Sequence, residues 1–201
     1  MSKVICAHAV SVDGFISGRT PDGQEEFGRG LGDAPTLFDW YFAGDTPSRV
    51  FDGFKLSEPS ARLFDGLAGR LGAVVAGRTT YEHSSGFGSG SPHPTAPLIV
   101  VSNRPVDDLA GSQTHVSTGV ADAIAAARTT AAGQDIGVMG GELATEALKA
   151  GLVDELVLHQ VPILLGGGRP FFHALPEHVS LRLIQAVAAP GVTHLHYEVL
   201  R

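Results

Sequence analysis

The sequence predicts a mixed α/β fold: a mostly parallel central sheet with helices on both faces and an antiparallel hairpin at its C-terminal end. Three observations predict it. Between Val4 and Val161, apolar runs of strand length alternate with helix-periodic segments, the grammar of parallel strands joined by crossover helices. From Val179 onward the pattern changes to two β-like runs around Ala189-Pro190-Gly191, a tight connection that pairs its flanks antiparallel. Finally, 201 residues with 43% hydrophobic content suffice for one sizeable core, whereas two would leave both halves thin, so residues 1–201 are expected to form a single domain.

Taken in order, Val4–Val10 reads as a short buried strand, Pro59–Leu71 as an amphipathic helix and Ala73–Ala76 as a second buried strand. Leu98–Val101 follows as a strand, Ala121–Ala132 as an alanine-rich helix, Ile136–Met139 as a strand, Glu142–Ala150 as a helix and Glu155–Val161 as a strand. Val179–Ala188 and Val192–Val199 form the terminal pair, and in the latter Val192, His194, His196 and Glu198 alternate with Thr193, Leu195, Tyr197 and Val199. One face is thus expected to be wetter, with His194 and His196 on it and without the further ligands a metal would need. Glycine and proline concentrate in 18–36 and 84–97, which read as loops long enough to be functional.

A net charge of −7 argues against nucleic acid and anionic membrane as partners. Any anion must be captured locally. The single cysteine, Cys6, excludes an intramolecular disulfide and a cysteine zinc site, and it reads as a buried structural thiol within the first strand. The opening MSKVICAHAV lacks a signal-peptide core and no apolar run reaches membrane-spanning length, so a cytoplasmic protein is expected.

Four segments carry the chemistry. In Ala73-Val-Val-Ala-Gly-Arg-Thr-Thr-Tyr-Glu82 a buried strand runs through Gly77 into a helix start, where free N–H groups, the Arg78 fork and the hydroxyls of Thr79 and Thr80 suit a phosphate. A capped helix with a surface arginine fits the same residues. Leu98-Ile-Val-Val-Ser-Asn-Arg-Pro105 delivers Ser102, Asn103 and Arg104 to the C-terminal end of a strand, where α/β sheets place ligands. Arg78 and Arg104 together could grip the 2′-phosphate that distinguishes NADPH from NADH, although a surface turn stopped by Pro105 is the simpler reading of the second segment. In Ile136-Gly-Val-Met-Gly-Gly-Glu-Leu-Ala144, Gly140 and Gly141 let backbone approach a diphosphate, without the G-x-G-x-x-G spacing. The last, Val161-Pro-Ile-Leu-Leu-Gly-Gly-Gly-Arg-Pro-Phe-Phe172, can fold closely around a cofactor, a substrate or a neighbouring loop.

In this order, GRTTYE, VVSNRP, MGGELATEAL and PILLGGGRPFF resemble the cofactor landmarks of dihydrofolate reductase and its relatives, and Ser11-Val-Asp-Gly-Phe-Ile-Ser17 resembles the S-L-D-G-x-I-A segment of the riboflavin-biosynthesis reductase (RibD C-terminal) domain. The resemblance spans nearly the whole chain. It implies a dihydrofolate reductase-like fold and an NADPH-dependent oxidoreductase acting on a small, heterocyclic molecule, of the 5-amino-6-(5-phosphoribosylamino)uracil reductase or dihydrofolate reductase kind. It also implies a homodimer and riboflavin biosynthesis as context. By that resemblance Arg78, Ser102, Asn103 and Arg104 fall at its adenosine 2′-phosphate site, Gly77 and Thr79 beside the nucleotide, Thr80 near the pyrophosphate, and Gly140 and Gly141 under the diphosphate and nicotinamide. Glu142 stands in place of a third glycine.

Two departures follow. The carboxylate that dihydrofolate reductase carries before its GRxT segment maps near Ala61, with Ser60 and Glu58 close by, so dihydrofolate is not the expected substrate. The paired cysteines of the deaminase often fused to riboflavin reductases are missing, which leaves a stand-alone reductase. Asp13 and Glu58 are the candidate proton donors, Asp13 reading equally as an Asp-Gly turn former. Phe27, Leu37, Phe38, Trp40, Tyr41 and Phe42 are expected to place aromatic surface beside the site, or half of them to serve as core or dimer contacts, with Trp40 and Tyr41 lining a substrate pocket. The alternative is a non-catalytic nucleotide-binding or dimeric scaffold protein of the same fold.

Overall fold

The computed structural model describes residues 2–20, 31–107 and 109–201. Its strands are β1 (Val4–Ser11), β2 (Phe15–Ser17), β3 (Thr46–Pro47), β4 (Lys55–Leu56), β5 (Leu71–Gly77), β6 (Leu98–Val101), β7 (Gln113–Val116), β8 (Asp135–Met139), β9 (Glu155–Val161), β10 (Arg169–Pro170), β11 (Leu181–Ala189) and β12 (Val192–Val199). The helices are α1 (Glu58–Ala68), α2 (Arg78–His83), α3 (Val120–Thr130) and α4 (Gly141–Lys149), with 3₁₀ turns at Pro35–Phe42 and Ser85–Ser89. Eight strands form one sheet in the order β11-β12-β9-β1-β8-β5-β6-β7. From β9 to β7 all neighbours are parallel, while β12 and β11 run antiparallel. This is the mixed sheet with a terminal hairpin that the sequence predicts.

Strand alternation divides the core. On β1, Val4 and Cys6 pack with Ile124 and Ala127 of α3 and Leu143 and Ala147 of α4. Ile5 instead turns to the opposite face, with Leu63 of α1. Cys6 is fully buried and its thiol is pushed up to about 12 by desolvation, the inert thiol expected. Trp40, Leu37 and Leu56 fill a further cluster, and each such burial contributes about 1.5–3 kcal/mol.

Several boundaries differ from expectation. α1 begins at Glu58 because Ser57 caps it and Pro59 sits in its first turn, and it ends at Ala68, so that Leu71 already belongs to β5. β7 escapes a hydrophobicity reading because Gln113-Thr-His-Val116 has one apolar residue and, as an edge strand, pairs only with β6. The larger correction concerns β12. Val192, His194 and His196 are its buried side and Thr193, Leu195 and Tyr197 its partly exposed one, the reverse of the wet face expected for the histidines. The imidazoles tolerate burial because each has a partner: Ser60 and His159 for His194, Glu155 for His196.

β1 follows β8 only from Val4 to Cys6, whereas it follows β9 as far as Ser11. Beyond Cys6, β1 and β8 part. Two cavities meet across the gap this leaves, one on the α4 side and one on the α1 side.

Candidate functional site

A cleft of about 1120 Å³ runs along the C-terminal ends of the parallel strands, where open α/β sheets bind ligands. Gly77 to Thr80 enter it from β5, Ser102 to Arg104 from β6, and Gly140 to Glu142 from β8. Every position expected to hold the cofactor therefore lines one continuous cleft.

Local physics explains each contribution. At the β5 to α2 junction the Arg78 guanidinium is held by Glu82, one turn ahead, at 2.5 Å and by the Pro105 carbonyl at 2.8 Å. That second bond ties the β5 exit to the β6 exit, so the two arginine-bearing turns sit at one end of the cleft. Ser102 is buried, and its hydroxyl accepts from the Arg104 amide and donates to the Arg104 carbonyl. The turn is thus rigid at its base, with Asn103 and Arg104 exposed above it.

At the β8 exit Gly140 has φ +102°, a conformation that favours glycine. A Cβ on Gly141 would strike the backbone carbonyls of Pro170 and Phe171. The glycine pair is therefore required twice, by a turn and by a close approach. The Gly140 amide donates to Nε2 of His8 at 2.9 Å, so the proton of His8 sits on Nδ1. Desolvation, with Arg169 nearby, lowers the His8 pKa to about 4 and keeps the ring neutral. Glu142 is exposed in the first turn of α4, a favourable place for a carboxylate against the helix dipole.

A dinucleotide phosphate fits this donor set. Two arginine forks stand at one end, and hydroxyls, small residues and the start of a nine-residue helix line the cleft beside them.

The second cavity, about 220 Å³, lies between the sheet and α1. It meets the cleft at His8, Phe38 and Met139, which line both. Tyr41 lines it, whereas Trp40 is fully buried behind it, its ring tilted against Tyr41 at 4.2 Å and against His159 at 4.9 Å. Phe38 is half-buried at the junction, Leu37 belongs to the core and Phe42 is exposed. Phe27 lies outside the described residues.

Neither candidate proton donor lines the cleft or the cavity. Asp13 accepts from the Ser11 hydroxyl at 2.6 Å and from the amides of Leu165 and Gly166 at 3.1 and 2.7 Å. The Ser11 bond and those two amides hold its carboxyl at about 2. It fastens the glycine-rich loop to the 11–14 turn and holds no proton at neutral pH. Glu58 is exposed at the start of α1, paired with Arg62 at 2.7 Å. What the sequence did not single out are His8, His93 and His159, the imidazoles of the second cavity. Their only signal was histidine embedded in or beside apolar runs.

A sequence profile of the RibD C-terminal domain matches residues 2–195. The chain is 30% identical over 125 residues, 62% of its own length and 71% of the other's, to YwjB, an uncharacterized protein of Bacillus subtilis strain 168. Among solved structures, one provisionally assigned to riboflavin biosynthesis from Shewanella sp. PV-4 superposes with a TM-score of 0.70 at 25% identity over the whole of both chains. A pyrimidine reductase-like protein of Corynebacterium diphtheriae shares the fold, with a TM-score of 0.61 at 16% identity over all of this chain and 92% of that one. So does Acinetobacter baumannii RibD, with a TM-score of 0.63 at 14% identity, of which this chain spans 58%.

Proposed function

The chain belongs to the RibD C-terminal domain family, and from that premise we propose that it is an NADPH-dependent oxidoreductase that reduces a small organic, heterocyclic molecule. The observation that carries the reading is the convergence of Arg78 and Arg104, with Ser102 and Asn103, at one end of a cleft whose middle is the Gly140-Gly141 turn. In this reading Arg78 and Arg104 hold the 2′-phosphate, Gly77 and Thr79 lie beside the nucleotide, and Thr80, Gly140 and Gly141 accommodate the diphosphate. When bound, the cofactor supplies a hydride from its reduced nicotinamide. The protein's own residues bind and orient the reactants there and exclude water.

The experiment is a titration of the protein with NADPH and NADH, followed by nicotinamide fluorescence. NADPH should bind more tightly. Arg78→Ala and Arg104→Ala should each remove about 1.5–3 kcal/mol from NADPH binding and leave NADH nearly unchanged. Equal losses for both cofactors, or binding of neither, overturn the reading, and the second result favours a scaffold role. A homodimer is proposed with it. Leu181, Leu183 and Ile184 of β11 expose 40%, 53% and 50% of their surfaces, an apolar edge that a second copy would cover across a two-fold axis. Among the described residues, no helix is long and apolar enough to cross a membrane.

A further inference from the structure

We propose that the aromatic cavity between the sheet and α1 binds a flat, uncharged ring compound bearing a hydrogen-bond acceptor, which the Nε2–H of His159 meets. Its floor is the sheet: Ile5, Ala7 and Ala9 of β1, Val74, Gly137 and His159. Phe64 and Leu67 of α1 form the roof, and Phe51 and Phe54 stack at 5.3 Å along one wall. Such walls favour a planar ring by apolar burial and offset stacking. Among the described residues, no lysine, arginine, aspartate or glutamate lines the cavity. Burial also depresses the pKa values of its three imidazoles, His8, His93 and His159. A phosphorylated or otherwise anionic ring would thus be desolvated there without a counter-charge, at a large cost.

The polar anchor is set by a buried chain of hydrogen bonds that begins at the cap of α1. The Ser57 hydroxyl donates to the Ser60 hydroxyl at 2.9 Å, so the Ser60 proton is free for Nε2 of His194, also at 2.9 Å. His194 must then carry its proton on Nδ1 and donate it to Nδ1 of His159 at 2.8 Å. That fixes the remaining proton of His159 on Nε2. Among the described residues this nitrogen has no hydrogen-bond partner, on a ring that lines the cavity and is otherwise 2% exposed. An unpartnered donor on a cavity-lining ring so little exposed points to an acceptor supplied by a ligand.

That the bound ring is also the hydride acceptor rests on the reductase reading above; that the cavity binds it does not. The test therefore uses the full chain without nicotinamide. Trp40 is the only tryptophan, and it touches both Tyr41 and His159, so its emission reports occupancy. Quinoline, naphthalene and quinoline-3-carboxylate serve as probes, with calorimetry as a second readout. Quinoline and naphthalene should quench Trp40 saturably, and the carboxylate should bind at least ten-fold more weakly than quinoline.

His159→Phe keeps the shape and removes the donor. It should weaken quinoline three- to ten-fold and leave naphthalene unchanged. Ala7→Leu, which fills the floor, should abolish binding of both in a protein whose melting transition stays cooperative. The proposal falls if no probe binds, if the carboxylate binds as well as quinoline, if His159→Phe weakens both neutral probes equally or neither, or if Ala7→Leu binds them undiminished. NADPH binding with no ring binding sinks this proposal alone, and ring binding without NADPH binding sinks the reductase reading alone.

Discussion

A methyl group added to Gly141 would collide with the carbonyl oxygens of Pro170 and Phe171, and backbone cannot yield as a side chain does. Gly141→Ala should therefore lose about 1–3 kcal/mol by overpacking, measured as a lowered denaturant midpoint. Gly77 makes the contrast: a Cβ there would meet only the Cβ of Leu143 at 3.7 Å, at an ordinary φ of −73°. Gly77→Ala should stay within about 0.5 kcal/mol of the parent. Both glycines read alike in the sequence, since each stands where a buried strand gives way to a helix. What separates them is whether another chain segment lies against the missing side chain. Asp13 teaches the same lesson: its Asp-Gly motif was legible and its Ser11 partner is local, but the amides it fastens come from Leu165 and Gly166, far along the chain.

Helices and buried strands were legible because their apolar spacing is local, and β6 and β9 have the bounds that the sequence predicts. β7 was not, for its role is carried by a polar residue. The Gln113 amide donates to the carbonyls of Gly86 and Gly90 at 2.8 and 2.7 Å, and its oxygen accepts from the Tyr81 hydroxyl at 3.1 Å. One side chain thus pins the 3₁₀ turn whose Ser85 and Phe87 line the cleft. Gln113→Ala should strand these groups at a cost of about 1–3 kcal/mol and speed hydrogen exchange at the Phe87 and Gly90 amides. Unchanged exchange would show that the turn holds itself. α1 depends likewise on a small contact, since Ser57 accepts from the Ser60 amide as its N-cap. Ser57→Ala should remove about 1 kcal/mol of stability, seen as a lower midpoint of thermal unfolding.

Across the molecule, buried imidazoles set the response to acid. Burial lowers the pKa values of His8 and His194 to about 4 in the folded chain, from the ordinary imidazole value of 6.5. Between those values the unfolded chain binds protons that the folded one does not, so stability should fall as pH drops from 6.5 to 4, by a few kcal/mol in total. Glu155 adds a lower window. Burial raises its pKa, but Arg70 and Lys3 outweigh that and hold the carboxylate at about 2. Its contribution is lost between pH 4.5 and 2. Unfolding free energies measured from pH 8 to 3 should thus decline in two stages. A flat profile down to pH 4 would mean that the histidines are not buried as described.

Taken alone, the sequence determined the α/β class, the terminal hairpin and the positions that line the cleft. Each rests on periodicity or on a turn motif at a strand end, and both are written in neighbouring residues. Only the tertiary structure decided that β1 and β8 part beyond Cys6, that an aromatic cavity opens beside the cleft, and that Ser57, Ser60, His194 and His159 join into one hydrogen-bonded chain. Ser60 and His194, which join the two halves of that chain, are 134 residues apart. Whether a polar side chain faces water or a buried partner depends on what folds against it, and no local pattern records that.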